Sequence, residues 1–341
     1  MAKKLGMQTI VFDKQPVILS GAAVVGKKEG DGPLARYYDE VVDDEYAGEK
    51  TFEAAESHLL HDAYLKALEK SGKAATDINL ILAGDLLNQC TAASYAFRDT
   101  DTPFLGLFGA CSTMSESIVI GSMLIEGGSA DYTVCAASSH FCSAERQFRY
   151  PLEFGSQRTP TAQWTVTGAG AVILGKDGQG PKITCVTPGK IIDQGIKDAN
   201  NMGAAMSPAA CDTIMRHLQD TGRSVDDFDL ILTGDLGKFG STMLKELLKR
   251  YDIDLKDKHR DCGLLIFDIA KQGVDCGGSG CGCSASVLSS YILEQFKQGL
   301  LKRILFIATG ALLSPTRSQQ GESIPGIAHA VCIEASSETE G

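Results

Sequence analysis

Positive charge in excess is what this chain lacks first. It has 32 lysines and arginines against 43 aspartates and glutamates, a formal charge of −11. A face that grips nucleic acid is basic, so this balance argues against that partner. No polybasic cluster is offered to an anionic membrane either. No apolar run reaches the roughly 18 residues that mark a spanning helix. The opening "MAKKLGMQTIVF" carries lysines without the apolar stretch of a signal peptide behind them. The expectation is an intracellular chain that meets a membrane only through partner proteins.

Metal-type cysteine spacing is lacking too. There are 11 cysteines. Cys135 in "YTVCAAS", Cys185 in "KITCVTP" and Cys332 in "HAVCIEA" sit in apolar runs, where free cysteine behaves as a small core hydrophobe. Cys276, Cys281 and Cys283 cluster in "CGGSGCGCSAS", without the spacing of a zinc knuckle or a following histidine. Scattered thiols with no signal peptide point to a reducing compartment. No metal and no cofactor are expected.

What is present is ordinary globular composition, 43% hydrophobic and 22% charged over 341 residues, long enough for two core-forming units. The chain also repeats itself. "NLILAGDL" at 79–86 returns as "DLILTGDL" at 229–236, an offset of 229 − 79 = 150. A helical pattern precedes each copy. Downstream, "GACSTMSESIVIGSMLIEGGSADYTVCAASS" is matched by "GCGCSASVLSSYILEQFKQGLLKRILFIATG", now at 310 − 139 = 171. The 171 − 150 = 21 extra residues of the second copy are expected in the charged stretch 248–263. Two similar α/β halves follow, 1–178 and 179–341, joined at "GKDGQGPK". Apolar strands alternating with helices suit a buried parallel sheet. Ligands of such sheets bind beyond the carboxyl ends of the strands.

The duplicated halves, with "GACST" opening the central helix of the first, resemble the thiolase fold, shared by thiolases and ketoacyl synthases. Longer strings, "QTIVFDKQPVILSGAAVVGKKEGDGPL", "RTPTAQWTVTGAGAVIL" and "GGSGCGCSAS", are more closely similar to the stage V sporulation protein AD family. The resemblance implies a five-layer α-β-α-β-α sandwich and a homodimer. It implies binding of dipicolinate (pyridine-2,6-dicarboxylate) and its uptake into the developing spore. The partners implied are membrane proteins of the same operon, at the forespore inner membrane. Calcium is a candidate companion of the ligand, though the acidic run "EVVDDEYAGE" lacks the pattern of a calcium loop.

The alternative is a condensing enzyme or acyltransferase built on Cys111. "GLFGACSTMSES" brings small residues to that cysteine and then a helix start, the way a thiolate nucleophile is presented. Condensation also needs a base and an oxyanion hole. The resemblance maps those roles onto "ILTGDLGKFG" and "CGGSGCGCSAS", which hold neither histidine nor asparagine; Asp235, Lys238 and Cys281 stand there instead. A third family position falls near His329. The nucleophile is present without its machinery, so a ligand pocket lined by Cys111 is the reading preferred over turnover.

Four further residues are candidates for that pocket. His140 ends "CAASSH" at a strand tip, where a polar side chain either faces a ligand or caps a helix. Arg158 can fork a carboxylate or stay solvated. Trp164, the sole tryptophan, can stack on a pyridine ring or fill a core; Gln163 and Thr165 flank it. His329 lies within an apolar strand pattern, as an anion donor or a satisfied core histidine. His58 and His61, at i and i+3 on one helix, read as a solvated face.

Overall fold

The computed structural model describes residues 2–148 and 158–336. One run of elements comprises β1 (Val17–Gly26), α1 (Phe52–Ser71), β2 (Leu80–Gly84), α2 (Thr91–Ala96), β3 (Phe104–Gly106), α3 (Thr113–Gly127), β4 (Tyr132–Ser139), α4 (Phe141–Gln147) and β5 (Gly168–Gly175). A second run comprises β6 (Lys182–Thr187), α5 (Met202–Thr221), β7 (Leu230–Thr233), α6 (Gly237–Lys249), β8 (His259–Asp261), α7 (Cys281–Val287), β9 (Arg303–Ala311) and β10 (Gly326–Glu334).

The repeated strings become repeated physics. α1 starts at Thr51, whose hydroxyl accepts from the Ala54 N–H, and stops at Gly72 with φ +66°. α5 starts at Asn201, which accepts from the Ala204 N–H, and stops at Gly222, also with φ +66°. A polar N-cap and a left-handed glycine are the usual ends of a helix.

Strand order is palindromic: β8-β7-β9-β10-β6, then β1-β5-β4-β2-β3. In each run the outer strands pair parallel and the inner ones antiparallel. The two runs touch where Lys182 faces Val17. β5 is buried at every position, as a strand covered on both faces must be.

Alternation along the strands sorts the core into three layers of contact. Val134 and Ala136 of β4 pack with Leu59, Leu60 and Ala63 of α1. Cys135 and Ala137 point the other way, to Ile118 of α3, Val287 of α7, and Phe306 and Val331 of the second run. Leu305, Ile307 and Ala330 close on Ala209 and Ile214 of α5. Helices, sheet, central helices, sheet, helices: this is the five-layer sandwich.

The extra residues of the second copy are not where the sequence pattern puts them. Ile81 pairs with Phe104, and the equivalent Ile231 pairs with His259, so the offset there is 259 − 104 = 155. Only 155 − 150 = 5 of the 21 residues have entered by β8. The remainder lies beyond it, in the segment before α7, which carries the short helices Cys262–Leu265 and Ile269–Gln272. That segment then pairs Gly278 with Trp164 and Ser279 with Thr165. Charge marked the insertion wrongly, because a charged stretch records solvent exposure rather than added length.

Candidate functional site

Cys111 sits in a tight elbow between β3 and α3. Ala110 takes φ +49°, a left-handed conformation that reverses the chain just before the cysteine. The hydroxyls that follow lock the elbow: Ser112 Oγ donates to the Gly109 carbonyl at 2.7 Å and Thr113 Oγ1 to the Ala110 carbonyl at 2.7 Å. Across from it, Gly310 of β9 leaves no room for a side chain. A Cβ there would lie 2.3 Å from the Gly109 carbonyl oxygen. Small residues around Cys111 are therefore needed for close approach. The cysteine itself is 4% exposed.

The sulfur faces a carboxyl group. Asp235 is fully buried at the end of β7, and its carboxyl is hydrogen-bonded to the Cys111 thiol. It also accepts from Thr309 Oγ1 at 2.8 Å, Ser279 Oγ at 3.1 Å and the Gly280 N–H at 3.0 Å. The Asp235 N–H and carbonyl are engaged too, by Thr309 and by Gln163 Nε2. This carboxyl stands in the stretch onto which the family resemblance maps a condensing enzyme's donor. Burial raises this carboxyl above its ordinary range; once ionised it accepts only, so it cannot then serve an oxyanion, and it repels a thiolate. Cys281 donates its own thiol to the Ser138 carbonyl at 2.9 Å. Lys238 is exposed on α6.

A cavity of about 300 Å³ opens beside Cys111. Leu87, Phe108, Phe148, Met202 and Leu313 make its apolar wall, and Asn88, Gln89 and Ser314 bring polar groups to it. The structure does not bring the other four candidate residues to this cavity. His140 caps α4: its Nδ1 accepts from the Cys142 N–H at 3.1 Å and its Nε2 donates to the Glu45 carbonyl at 2.8 Å. Both nitrogens are used, and burial holds the imidazole below its ordinary range. Arg158 forks Glu145 at 3.0 and 3.3 Å and lies over Trp164. Trp164 is stacked on Phe141 at 3.9 Å, with the Lys28 ammonium 4.0 Å from the ring centroid. Both belong to a separate aromatic–cation cluster. His329 Nδ1 accepts from the Gly189 N–H at 3.0 Å, and burial lowers its pKa to about 4.

The other expectations resolve as simply. Cys276, Cys281 and Cys283 turn to three different partners, the Phe239 N–H, the Ser138 carbonyl and the Gly234 carbonyl. His58 meets Glu49 and Asp62 on the surface, and His61 meets the Ala96 carbonyl.

Asn88 and Gln89 are lining residues that sequence reasoning missed, together with the role of Asp85. The signal was in the repeat: Asp85 is the aspartate of the first "GDL" as Asp235 is of the second. Asp85 accepts from the N–H groups of Leu87 and Ala93, both at 2.7 Å, and so shapes the turn that presents Asn88 and Gln89.

Buried acids, two of them near this region and one elsewhere in the core, predict a pH dependence. Burial pushes Asp85 up to about 6, Asp261 up to about 7 and Glu29 up to about 7. An acid raised in the folded state holds a proton that the unfolded chain has lost, so its stabilisation drains away as pH climbs through the folded value. His259 and His329, lowered to about 4 by burial, work in the opposite direction. Their effect is complete once pH passes about 6.5, the ordinary histidine value. Above that point the acids dominate. The melting temperature should fall between about pH 6.5 and 7.5 and then level, with a shallower fall in Asp261→Asn. Scanning calorimetry from pH 6 to 8.5 checks this; a flat or rising profile would overturn it.

Comparison with known proteins places these features. Residues 6–334 match the family model of Stage V sporulation protein AD (SpoVAD). The chain is 48% identical over 332 residues to Stage V sporulation protein AD of Bacillus subtilis (strain 168), covering 97% of this chain and 98% of that one. Among solved structures, the cerulenin-bound OleA of Xanthomonas campestris is similar with TM-score 0.60 at 14% identity, over 95% of this chain and 97% of that one. The 3-oxoacyl-[acyl-carrier-protein] synthase III of Aquifex aeolicus VF5 is similar with TM-score 0.56 at 14% identity, over 94% and 99%. The fold is that of the thiolase-like synthases, and the chain belongs to the stage V sporulation protein AD family.

Proposed function

We propose that the cavity at Cys111 binds dipicolinate without acyl turnover, and that the chain supports uptake of that ligand into the developing spore. The observation that carries this reading is the carboxyl of Asp235 against the Cys111 thiol. A carboxyl in that place keeps a sculpted, buried wall but removes the donor that condensation requires. An apolar cavity with a few convergent polar groups is the usual form of a small-molecule site. Leu87, Phe108 and Leu313 offer faces for a flat ring; Asn88, Gln89 and Ser314 offer donors for its carboxylates.

Among the described residues no helix is long and apolar enough to cross a membrane. Delivery to a spore membrane therefore falls to membrane-embedded partners in this reading. Homodimerisation is part of it too. β3 is an edge strand, and Leu105 and Phe108 are 48% and 52% exposed beside it. Such an edge invites pairing with a second copy.

The test is titration calorimetry of the full chain with dipicolinate, with isophthalate as the control that lacks the ring nitrogen. Saturable heat with dipicolinate, at least tenfold weaker binding of isophthalate, and weakening in Cys111→Ala and Asn88→Ala are expected. At a hundredfold excess over the dissociation constant the fold should gain about 2.7 kcal/mol. Absence of heat would sink the binding reading for the isolated chain; acyl transfer from an acyl-CoA to Cys111 would replace it with the condensing-enzyme reading.

A further inference from the structure

Away from the Cys111 cavity, three ligating side chains converge in the second run. Cys185 of β6 and Cys332 of β10 are direct partners across an antiparallel ladder, just after the bulge that follows Ile183. His217, near the end of α5, packs onto them. The two sulfurs and a ring nitrogen of His217 lie within 4.8 Å of one another, and all three residues are buried. Among the described residues this is the one group of its kind.

The imidazole is held in a ligand-competent state. Its Nδ1 is engaged by Thr187 Oγ1 at 2.8 Å, and that hydroxyl is itself fixed by Thr9 Oγ1 at 2.8 Å. His217 is 0% exposed, and its Nε2 has no oxygen or nitrogen partner; the Cys332 thiol is what the ring meets. A thiol is a weak partner for a buried ring nitrogen, so the site gains from a stronger one. Orientation of one ring nitrogen by a polar partner, leaving the other free, is the outer-shell arrangement of metal-bound histidine. The sulfurs have an outer shell as well. Arg223 Nη1 donates to Cys332 Sγ at 3.1 Å, and Arg223 Nη2 holds Glu334 Oε1 at 2.9 Å. Glu334 Oε1 stands 3.5 Å from that sulfur, beside a fourth position. The Arg223 and Glu334 side chains are 27% and 19% exposed and give the site a way in from solvent.

We propose that Cys185, His217 and Cys332 bind a single thiophilic d¹⁰ cation of the zinc(II) class, which pins α5 to the two strands beneath it. Two thiolates and an imidazole select such an ion over calcium or magnesium, which take oxygen ligands. Sulfurs on one tetrahedral zinc lie about 3.8 Å apart, from bonds of about 2.3 Å, so the cluster needs only a small contraction. On binding, metal–sulfur bonds replace S–H bonds, and the protons leave to solvent.

The experiment uses the full chain, reduced and stripped with a chelator, then titrated with Zn²⁺ alone and with Co²⁺ alone. One ion per chain is expected, with a thiolate-to-cobalt charge-transfer band and a raised melting temperature. Cys332→Ser and His217→Gln should weaken Zn²⁺ binding at least tenfold, and Arg223→Gln, which acts through Cys332, by about tenfold. Cys276→Ser should leave it unchanged. Wild-type chain that is folded by circular dichroism but shows no charge-transfer band overturns the proposal, whatever the variants do. So does Zn²⁺ binding that survives Cys332→Ser, or a Cys185–Cys332 disulfide that forms in air and leaves the reduced chain without metal uptake.

Discussion

Asp235→Ala should lower the melting temperature by roughly 3–10 °C and abolish ligand binding at the Cys111 cavity. The side chain is fully buried and ties together four donors from three segments: Cys111, Ser279 with Gly280, and Thr309. Removing it leaves those donors in a dry interior, where each unmet group costs about 1–3 kcal/mol. Relaxation and entering water recover part of that, so a total of about 3–5 kcal/mol is expected, and a degree or two of melting temperature accompanies each kcal/mol in a chain of this size. Asp235→Asn keeps the shape and one acceptor oxygen. It should cost about half as much. Calorimetry of both variants decides the matter; a melting temperature for Asp235→Ala within about 2 °C of wild type would show that the carboxyl does not tie these elements together.

Gly282→Ala and Gly170→Val should be as damaging, for a different reason. A Cβ at Gly282 would lie 2.3 Å from the Gly168 carbonyl oxygen, and one at Gly170 would lie 2.3 Å from the Ala285 backbone. Neither neighbour is the loose end of a side chain. β5 and α7 must separate, and with them the central layer on which both sheets rest. Overpacking a core costs about 1–3 kcal/mol when side chains can yield, and more when only backbone can move. Little folded Gly170→Val protein is expected, and a melting temperature for Gly282→Ala lower by roughly 5 °C or more. Gly127→Ala is the control, since nothing lies within 4 Å of its Cβ and alanine is the better helix former. Equal stability of Gly127→Ala and Gly282→Ala would refute the close-approach account.

These glycines also explain how family strings can be so legible and yet so easily misread. "TGAGAVIL" and "GSGCGCSAS" look like loop motifs for a ligand. They are the two faces of one helix–sheet contact, and their smallness is steric. The same holds at "GACST", where serine and threonine buckle the elbow through their own hydroxyls.

The candidate residues were harder to place. His140 reads identically in sequence whether it faces a ligand or caps a helix, and the cap prevailed because the Cys142 N–H lies within reach. Arg158 and Trp164 are separated by only six positions and found each other rather than the cavity. Asn88 and Gln89 carry no periodic signal, since turns have none.

What the sequence determined by itself was everything governed by local backbone geometry and by counting. It set two α/β runs of one design, strands buried on both faces, and two stretches, "ILTGDLGKFG" and "CGGSGCGCSAS", that hold neither histidine nor asparagine. The tertiary structure alone decided which polar groups converge. Asp235 meets Cys111, and His217 meets Cys185 and Cys332, only because the core layers stack in one register. Periodicity reports which face of an element is buried. It does not report what lies opposite, because that depends on the packing of elements far apart in the chain.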